Sequence, residues 1–378
     1  MWLTGNINLD RTKSFEYDGL NAKGKMQWIE SNPYGTSLST DPFRFAYALI
    51  RSSIIGSKIN ARQYIASSAL ALSSMAYMEK IKGSSSLHLH SSFSNNKDFV
   101  STGYKGMIGS AFAYLDMTDS GYIWTGHWED CVPPSISSIR DPRPDFVFSD
   151  EGNICIVDAK GSASSTVCSK IKSEWKKQIR PYLGQKLSLG GTISRGMVIA
   201  TTLAHGNTST LLRAKGELKR GMLPVAGHNT DDTEGTAEIV QRSNFVDVLR
   251  MIEEHDLANA IIGGPQSDAS LEYAHVFQMQ PTPALLYASY QLPILINSEI
   301  WTIRPFCRAD AISDAIKKFI LTDDTSKGSL TRFSEKITIS EHQNNQENSN
   351  IKTYIIEAPD GAGALFQKFE APDFTNHF

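Results

Sequence analysis

The stretch Arg143–Gly161, RPDFVFSDEGNICIVDAKG, constrains the chain most, because it reads as two short strands joined by a tight turn. Phe146-Val147-Phe148 leads into Ser149-Asp150-Glu151-Gly152, and Ile154-Cys155-Ile156-Val157 leads out, so apolar runs bracket a turn-forming cluster. The pattern places Asp145 at the start of one strand and Asp158 and Lys160 at the end of the next. Those ends are neighbours in an antiparallel hairpin, and side chains two apart on a strand leave on the same face. Two carboxylates and an amine therefore converge at one open end of a sheet, an arrangement suited to a metal ion.

The segment after the hairpin is basic. From Lys160 to Arg220 there are twelve Lys or Arg and two acids, Glu174 and Glu217, a local charge of +10. The whole chain carries −3, which leaves −13 for the remainder. The window is either a solvated helix face or the electrostatic footprint of a polyanion, since phosphate neutralisation supplies most of the affinity for nucleic acid. Its position directly after the two carboxylates favours the footprint.

The rest of the chain bounds the fold. At 378 residues it is long enough for two or three domains with a sizeable core. No run of about 18 apolar residues suggests a membrane span. Met1–Phe15 lacks the basic-then-apolar layout of a secretory signal. Cys131, Cys155, Cys168 and Cys307 are scattered with no CxxC pair, which points to a reduced, cytoplasmic setting and away from a zinc module.

Residues 1–40 are polar with little periodicity, and Asp41-Pro42 is a good helix start. Helices are expected over Pro42–Ile55 and Asn60–Lys82, forming a largely helical region 1–100. Thr102–Met117 has apolar residues at spacings of three and four, Tyr122–Trp128 is β-prone, a basic helix is expected over Ser169–Arg180, and Met197–Thr202 reads as a buried strand. The order is helix, strand, strand, strand, helix, strand. Beyond His205, helices are expected over Asn244–His255 and Asp310–Ile320, with a strand at Tyr354–Ile356. Thr322–Asn350 is polar, and reads as a mobile segment or a long exposed loop. His88 and His90 alternate onto one face of SLHLHSS, a weak metal pair with no third ligand nearby in sequence.

Pro144-Asp145 followed thirteen residues later by Asp158-Ala159-Lys160 resembles the PD-(D/E)XK nuclease superfamily, restriction-endonuclease-like enzymes that cut DNA with Mg²⁺. The element order matches that family's core, and the resemblance covers about residues 101–205. It implies an α/β fold: a restriction-endonuclease-like core over 101–205, with a mixed central sheet flanked by helices. Around that core stand the helical N-terminal region and a C-terminal α/β portion over 206–378, polar near 322–350. By the same resemblance Asp145 and Asp158 are metal ligands, the Ala159 carbonyl is a third, and Lys160 positions the water. The cofactor would be Mg²⁺, with Mn²⁺ as a substitute. Gln178-Ile179-Arg180-Pro181-Tyr182 is similar to the QxxxY element of the RecB-like exonuclease branch, which makes Gln178 a candidate site residue. Pro181 is expected to break the helix between the two, and Tyr182 reads as a core residue. Lys170, Lys172, Lys176 and Lys177 would contact the nucleic-acid backbone.

One departure stands out. Many family members carry a glutamate after a glycine on the helix before the strands, and this chain has Gly109-Ser110 there. Asp116 lies six residues on, about 600° round a helix, on a different face. Glu129 and Glu151 are the alternatives. The expected function is a Mg²⁺-dependent deoxyribonuclease, endo- or exo-acting, of restriction, phage defence, repair or mobile-element processing. Two other classes stay open, a catalytically silent nucleic-acid-binding subunit and a protein-interaction module. DNA is the expected partner; partner proteins of a defence or repair complex and a homodimer are further options, and no membrane is expected.

Overall fold

The computed structural model describes residues 5–31, 35–53, 61–80, 85–136, 141–150, 152–163, 168–203, 210–217, 237–263, 285–296, 299–321, 329–344 and 349–368. In chain order the first half contains β1 (Ile7–Leu20), β2 (Met26–Ser31), β3 (Ser37–Thr40), α1 (Pro42–Ser53), α2 (Ala61–Ser73), β4 (Met78–Lys80), β5 (Leu87–Leu89), α3 (Asp98–Asp119), β6 (Trp124–His127) and the short α4 (Trp128–Cys131). The motif hairpin supplies β7 (Phe146–Ser149) and β8 (Ile154–Ser162), followed by α5 (Cys168–Glu174), β9 (Arg195–Thr202) and β10 (Thr210–Glu217). The remainder holds α6 (Glu238–Met251), α7 (His255–Gly263), β11 (Leu285–Tyr287), β12 (Leu292–Ile296), β13 (Glu299–Arg308), α8 (Ala309–Phe319), β14 (Lys336–Asn344), β15 (Ser349–Glu357) and β16 (Ala362–Lys368).

The protein is mixed α/β. An eight-stranded sheet runs in the order β2-β1-β10-β9-β8-β7-β6, with β3 also paired to β1. It is itself mixed: β6, β7 and β8 are antiparallel neighbours, whereas β8 pairs with β9, and β1 with β10, in parallel. The helix–strand–strand–strand–helix–strand order of the sequence is present as α3, β6, β7, β8, α5 and β9.

Helices cover both faces. Period-two alternation sends successive residues to opposite sides, and glycines mark where backbone or ring comes closest. On the α3 side, a Cβ on Gly109 would stand 2.6 Å from the Gly161 nitrogen, and a Cβ on Gly161 would collide with the Lys105 carbonyl. On the α5 side, Trp175 fills the space above Gly216 and donates its indole N–H to the Gly196 carbonyl at 3.1 Å.

Three expectations are corrected. Region 1–100 is not largely helical: β1, β2 and β3 add to the central sheet, and β4 pairs with β5. β1 escapes a hydrophobicity reading because a bulge between Arg11 and Lys13 shifts its register. Arg11, before the bulge, meets α3 through Asp116, whereas Phe15 and Tyr17, after it, meet Lys172 and Trp175 on the α5 side. A strand with both faces covered and an arginine inside shows no clean alternation. The expected helix Asn60–Lys82 stops at Ser73 and yields to a 3₁₀ turn and β4. The polar segment near 322–350 holds β14, which pairs antiparallel with β15 from Lys336↔Glu357 to Asn344↔Ser349. β-branched residues in KITIS support a strand there despite the polar tail. This hairpin joins the second sheet, ordered β11-β13-β16-β15-β14 with β12 on β13, where Phe43 of α1 stacks on Tyr354 with centroids 4.2 Å apart.

The charged keystone of the first sheet is Asp116. It accepts from Arg11 Nε at 3.0 Å and from Arg213 Nε at 2.6 Å, and all three side chains are at most 6% exposed. Arg11 also reaches the partly exposed Asp119 at 2.5 Å. Removing Asp116 takes the counter-ion from buried Arg213 and leaves Arg11 only Asp119 for charge, so Asp116→Ala is expected to lower unfolding free energy by about 3–5 kcal/mol. Urea denaturation checks this, with Asp119→Ala as the mild counterpart.

Candidate functional site

The hairpin register builds the site. Phe146 pairs with Val157, and the Asp145 N–H donates to the Val157 carbonyl at 3.0 Å, which carries the ladder one residue past β7. The Asp145 side chain turns back, and its Oδ2 accepts the Ala159 N–H at 2.8 Å. In an extended strand the N–H and C=O of one residue point the same way, so the Ala159 carbonyl faces Asp145 as well. At the other end Asp150 Oδ1 accepts from the Gly152 and Asn153 N–H groups at 2.8 and 2.6 Å, making that acid a turn-former. Glu151 lies outside the described residues.

Asp158 is fully buried, and its two oxygens are held from different elements. Lys160 Nζ donates to Oδ1 at 2.7 Å, and Gln178 Nε2 donates to Oδ2 at 3.3 Å and to Glu174 Oε2 at 2.9 Å. The Asp145 and Asp158 carboxyls lie within hydrogen-bonding reach of each other. Burial, then the charge of Asp145, pushes Asp158 up to about 7 against the pull of Lys160. Burial raises Asp145 too, against the Ala159 N–H and Lys160. Burial alone would lower Lys160, but the adjoining carboxylates outweigh it and raise its pKa, so the ammonium stays charged.

Gln178 reaches Asp158 because the helix changes pitch. α5 ends at Glu174 and a π turn spans Trp175–Ile179, followed by a 3₁₀ turn over Arg180–Tyr182. The wider turn keeps Trp175 and Ile179 buried while Gln178 faces the carboxyl pair, and π turns concentrate at functional positions. Pro181 lies within the 3₁₀ turn, so the pitch changes between Gln178 and Tyr182. Tyr182 is buried against Trp128, and its hydroxyl donates to the Pro142 carbonyl at 2.8 Å, bracing the segment that leads into Asp145. Glu174, four residues before Gln178, is a further acid at the site that its i, i+4 spacing from Gln178 signals.

The basic window divides in the fold. Lys170, Lys176 and Lys177 are exposed along α5 and the π turn, Lys177 within 3.7 Å of Glu174. Lys172 is corrected: its ammonium sits 3.9 Å over the Phe15 ring and 5.8 Å from Trp28, a packing position. Arg213 is buried on Asp116, Arg195 pairs with Glu217 and Lys215 with Glu16. Lys219 and Arg220 lie outside the described residues.

A cavity of about 540 Å³ opens beside Asp145 on the α3 side. Its wall includes Ser110, together with Glu129, Arg143 and Ser67. Glu129 adds negative charge at Asp145 and lies 3.5 Å from Arg143. His127 also lines it, with Nε2 3.6 Å from Asp247 Oδ2. Burial, then Arg51, lowers His127 to about 4, and burial, then Asp130, raises Asp247 to about 8. No local pattern marks this pair, whose members are 120 residues apart. His88 is 3.3 Å from Glu79, and His90 caps a 3₁₀ turn through Ser92, so the two do not share a site.

Among the described residues no group of three or more His, Cys, Asp or Glu is set to hold a metal ion. The donors on offer are the Asp145 and Asp158 carboxylates and the Ala159 carbonyl. That set fits Mg²⁺, which takes one or two carboxylates and keeps several waters. Lys160 balances one of these two close, buried carboxylates, and ionising the other as well favours a further cation. Among the described residues no helix is long and apolar enough to cross a membrane. Compared with known proteins, the chain matches no family model, no curated protein and no solved structure.

Asp247 gives the site region a pH signature. Its folded pKa lies above its ordinary value of 3.8, so it favours the folded state below that pH and loses this contribution as pH rises through about 8. The stability gain of Asp247→Asn over wild type is expected to grow from about pH 4 to about pH 8, measured by denaturant titration across that range.

Proposed function

We propose that this chain is a metal-dependent nuclease with a PD-(D/E)XK, restriction-endonuclease-like core, hydrolysing DNA phosphodiester bonds. The observation that carries the reading is the convergence of Asp145, Asp158, Lys160 and Gln178 at the end of β8, beside an exposed lysine face. Asp145, Asp158 and the Ala159 carbonyl would hold Mg²⁺, or Mn²⁺ in its place. The metal supplies charge stabilisation on the phosphoryl oxygens and lowers the pKa of its water.

The chain's own groups do the rest. Lys160, fixed on Asp158, orients the attacking water and offsets charge building on the phosphate. Gln178 holds the Asp158 oxygen that Lys160 leaves, and Glu174 holds Gln178. Lys170, Lys176 and Lys177 meet the DNA backbone, which positions a strand but reads no sequence. The setting would be restriction, phage defence, repair or mobile-element processing, with partner proteins or a second copy as companions.

A second reading, a catalytically silent DNA-binding subunit, is favoured by Ser110 standing where an acid is usual. Cleavage separates the two. With Mg²⁺ or Mn²⁺ the wild type is expected to cut linear, circular or single-stranded DNA, EDTA to stop it, and Asp158→Asn and Lys160→Met to lose at least about 100-fold in rate. Absence of cutting with either metal on every substrate, alongside retained binding, would establish the silent subunit instead. Lys170→Gln, Lys176→Gln and Lys177→Gln should each lower the salt dependence of binding by about one unit of slope. Lys172→Gln should act on thermal stability, with little change in that slope.

A further inference from the structure

The cavity beside Asp145 has features that a phosphate track lacks. Three acids line it, Glu129, Asp141 and Asp145, against one arginine that already lies 3.5 Å from Glu129. Without a metal on Asp145, a wall of that sign repels a phosphodiester, and Glu129 and Asp141 keep their sign with one bound. The wall suits an uncharged ring with hydrogen-bond donors on its edge. The other walls fit such a ring: Leu70 and Met107 are apolar, and Ser67 and Ser110 offer hydroxyls. At about 540 Å³ the volume lies in the range of small-ligand pockets.

His127 supplies an independent sign of a ligand. The residue is only 5% exposed, lines the cavity, and has Asp247 3.6 Å behind Nε2. Among the described residues neither ring nitrogen makes a hydrogen bond, since Nε2 stands 3.6 Å from Asp247 Oδ2. A buried imidazole whose nitrogens are unbonded at a cavity wall is set to bond something that enters.

Position supplies the rest. Asp158 and Lys160 face the α5 side, where Gln178 and Glu174 lie, whereas the cavity opens on the α3 side and Asp145 borders both. A strand whose phosphate reaches the carboxyl pair from the lysine face would have a neighbouring base at the cavity mouth. In a duplex that base is stacked and paired, and taking it out costs a few kcal/mol. An unpaired strand offers it freely.

We infer that the cavity is a nucleobase site, and that the substrate class is DNA with unpaired bases: a single strand, a frayed end or a loop. This rests on the nuclease reading and names its substrate. The base enters with its donor edge toward Glu129 and Asp141, and the His127 ring nitrogen bonds it from the floor.

The test measures binding in EDTA, where nothing is cut, by fluorescence anisotropy of the full chain. Three probes of equal length are compared: a single-stranded oligonucleotide, its blunt duplex and an all-abasic strand that keeps the phosphates but has no bases. The wild type is expected to bind the single strand about tenfold tighter than the abasic strand, in the range of one buried base, and tighter than the duplex. Ser67→Trp, which fills the cavity from α2, should erase both differences while keeping its melting temperature. Ser53→Trp serves if that variant does not fold. Equal affinity for all three probes would overturn the nucleobase site and leave the nuclease reading to the cleavage assay. A single-strand preference that survives in a folded cavity-filled variant would overturn it as well. Failure to bind any probe would overturn the nucleobase site too, and cleavage with Mg²⁺ or Mn²⁺ decides the nuclease reading separately.

Discussion

The fold turns on one close approach. At Gly109 and Gly161, α3 and β8 meet backbone to backbone, with no room for a Cβ on either side. Contact that close fixes where the helix crosses the strand, because a single methyl would force the two apart. β8 is the strand whose preceding residues, Asp158 and Lys160, carry the candidate chemistry, and Ser110 follows Gly109 into the cavity wall. The glycine after the lysine is therefore the reason the carboxyl pair and the cavity share a border. Further along α3, Asp116 is clamped by Arg11 of β1 and Arg213 of β10, so the helix is held at both the site and the far strands of the sheet.

That clamp also explains where the positive charge of the basic window goes. A net +10 in sequence suggests a continuous cationic face, but charge in sequence is not charge at the surface. Arg213 is internal, Lys172 lies over two aromatic rings, and Arg195 and Lys215 are partnered on their own strands. The part left beside the carboxyl pair is a short face on α5 and the π turn. Such a face contacts few phosphates, so its affinity would be modest and its salt slope shallow.

The parts legible in the sequence are those where local pattern and tertiary role agree. The hairpin is one, since short apolar runs around Ser149–Gly152 have one sensible pairing and the pairing alone brings Asp145 to Asp158. α3 and α8 are others, close to the expected Thr102–Met117 and Asp310–Ile320, whereas α6 spans Glu238–Met251 rather than Asn244–His255, because burial on nearly every side leaves it no single apolar stripe. β1 was hidden by its bulge and its internal arginine, whose counter-ion is 105 residues away. β14 was hidden by a polar composition that reads as loop. Gln178 was visible only as a loose motif, because the π turn that aims it depends on how Trp175 and Ile179 seat in the core. His127 and Asp247 were invisible, since nothing local joins a strand end to a helix so far along the chain.

Burial of the carboxyl pair sets a physical condition on whatever the site does. Asp158 is inside the protein, touching one cation and one amide, with a second carboxyl beside it. One ammonium balances one carboxylate, and Lys160 is that ammonium. The second negative charge has no such partner within the pair, so it is relieved by a proton or by an added cation. A proton leaves an acid with one oxygen fewer to bind metal, and a divalent ion restores it, so the two compete for the same place. Gln178 bears on that competition: its amide donates to Asp158 Oδ2 and thereby favours the ionised form, the one that binds a metal. The π turn thus does more than place a side chain, because it biases the carboxyl pair toward the state in which a cation is the better occupant.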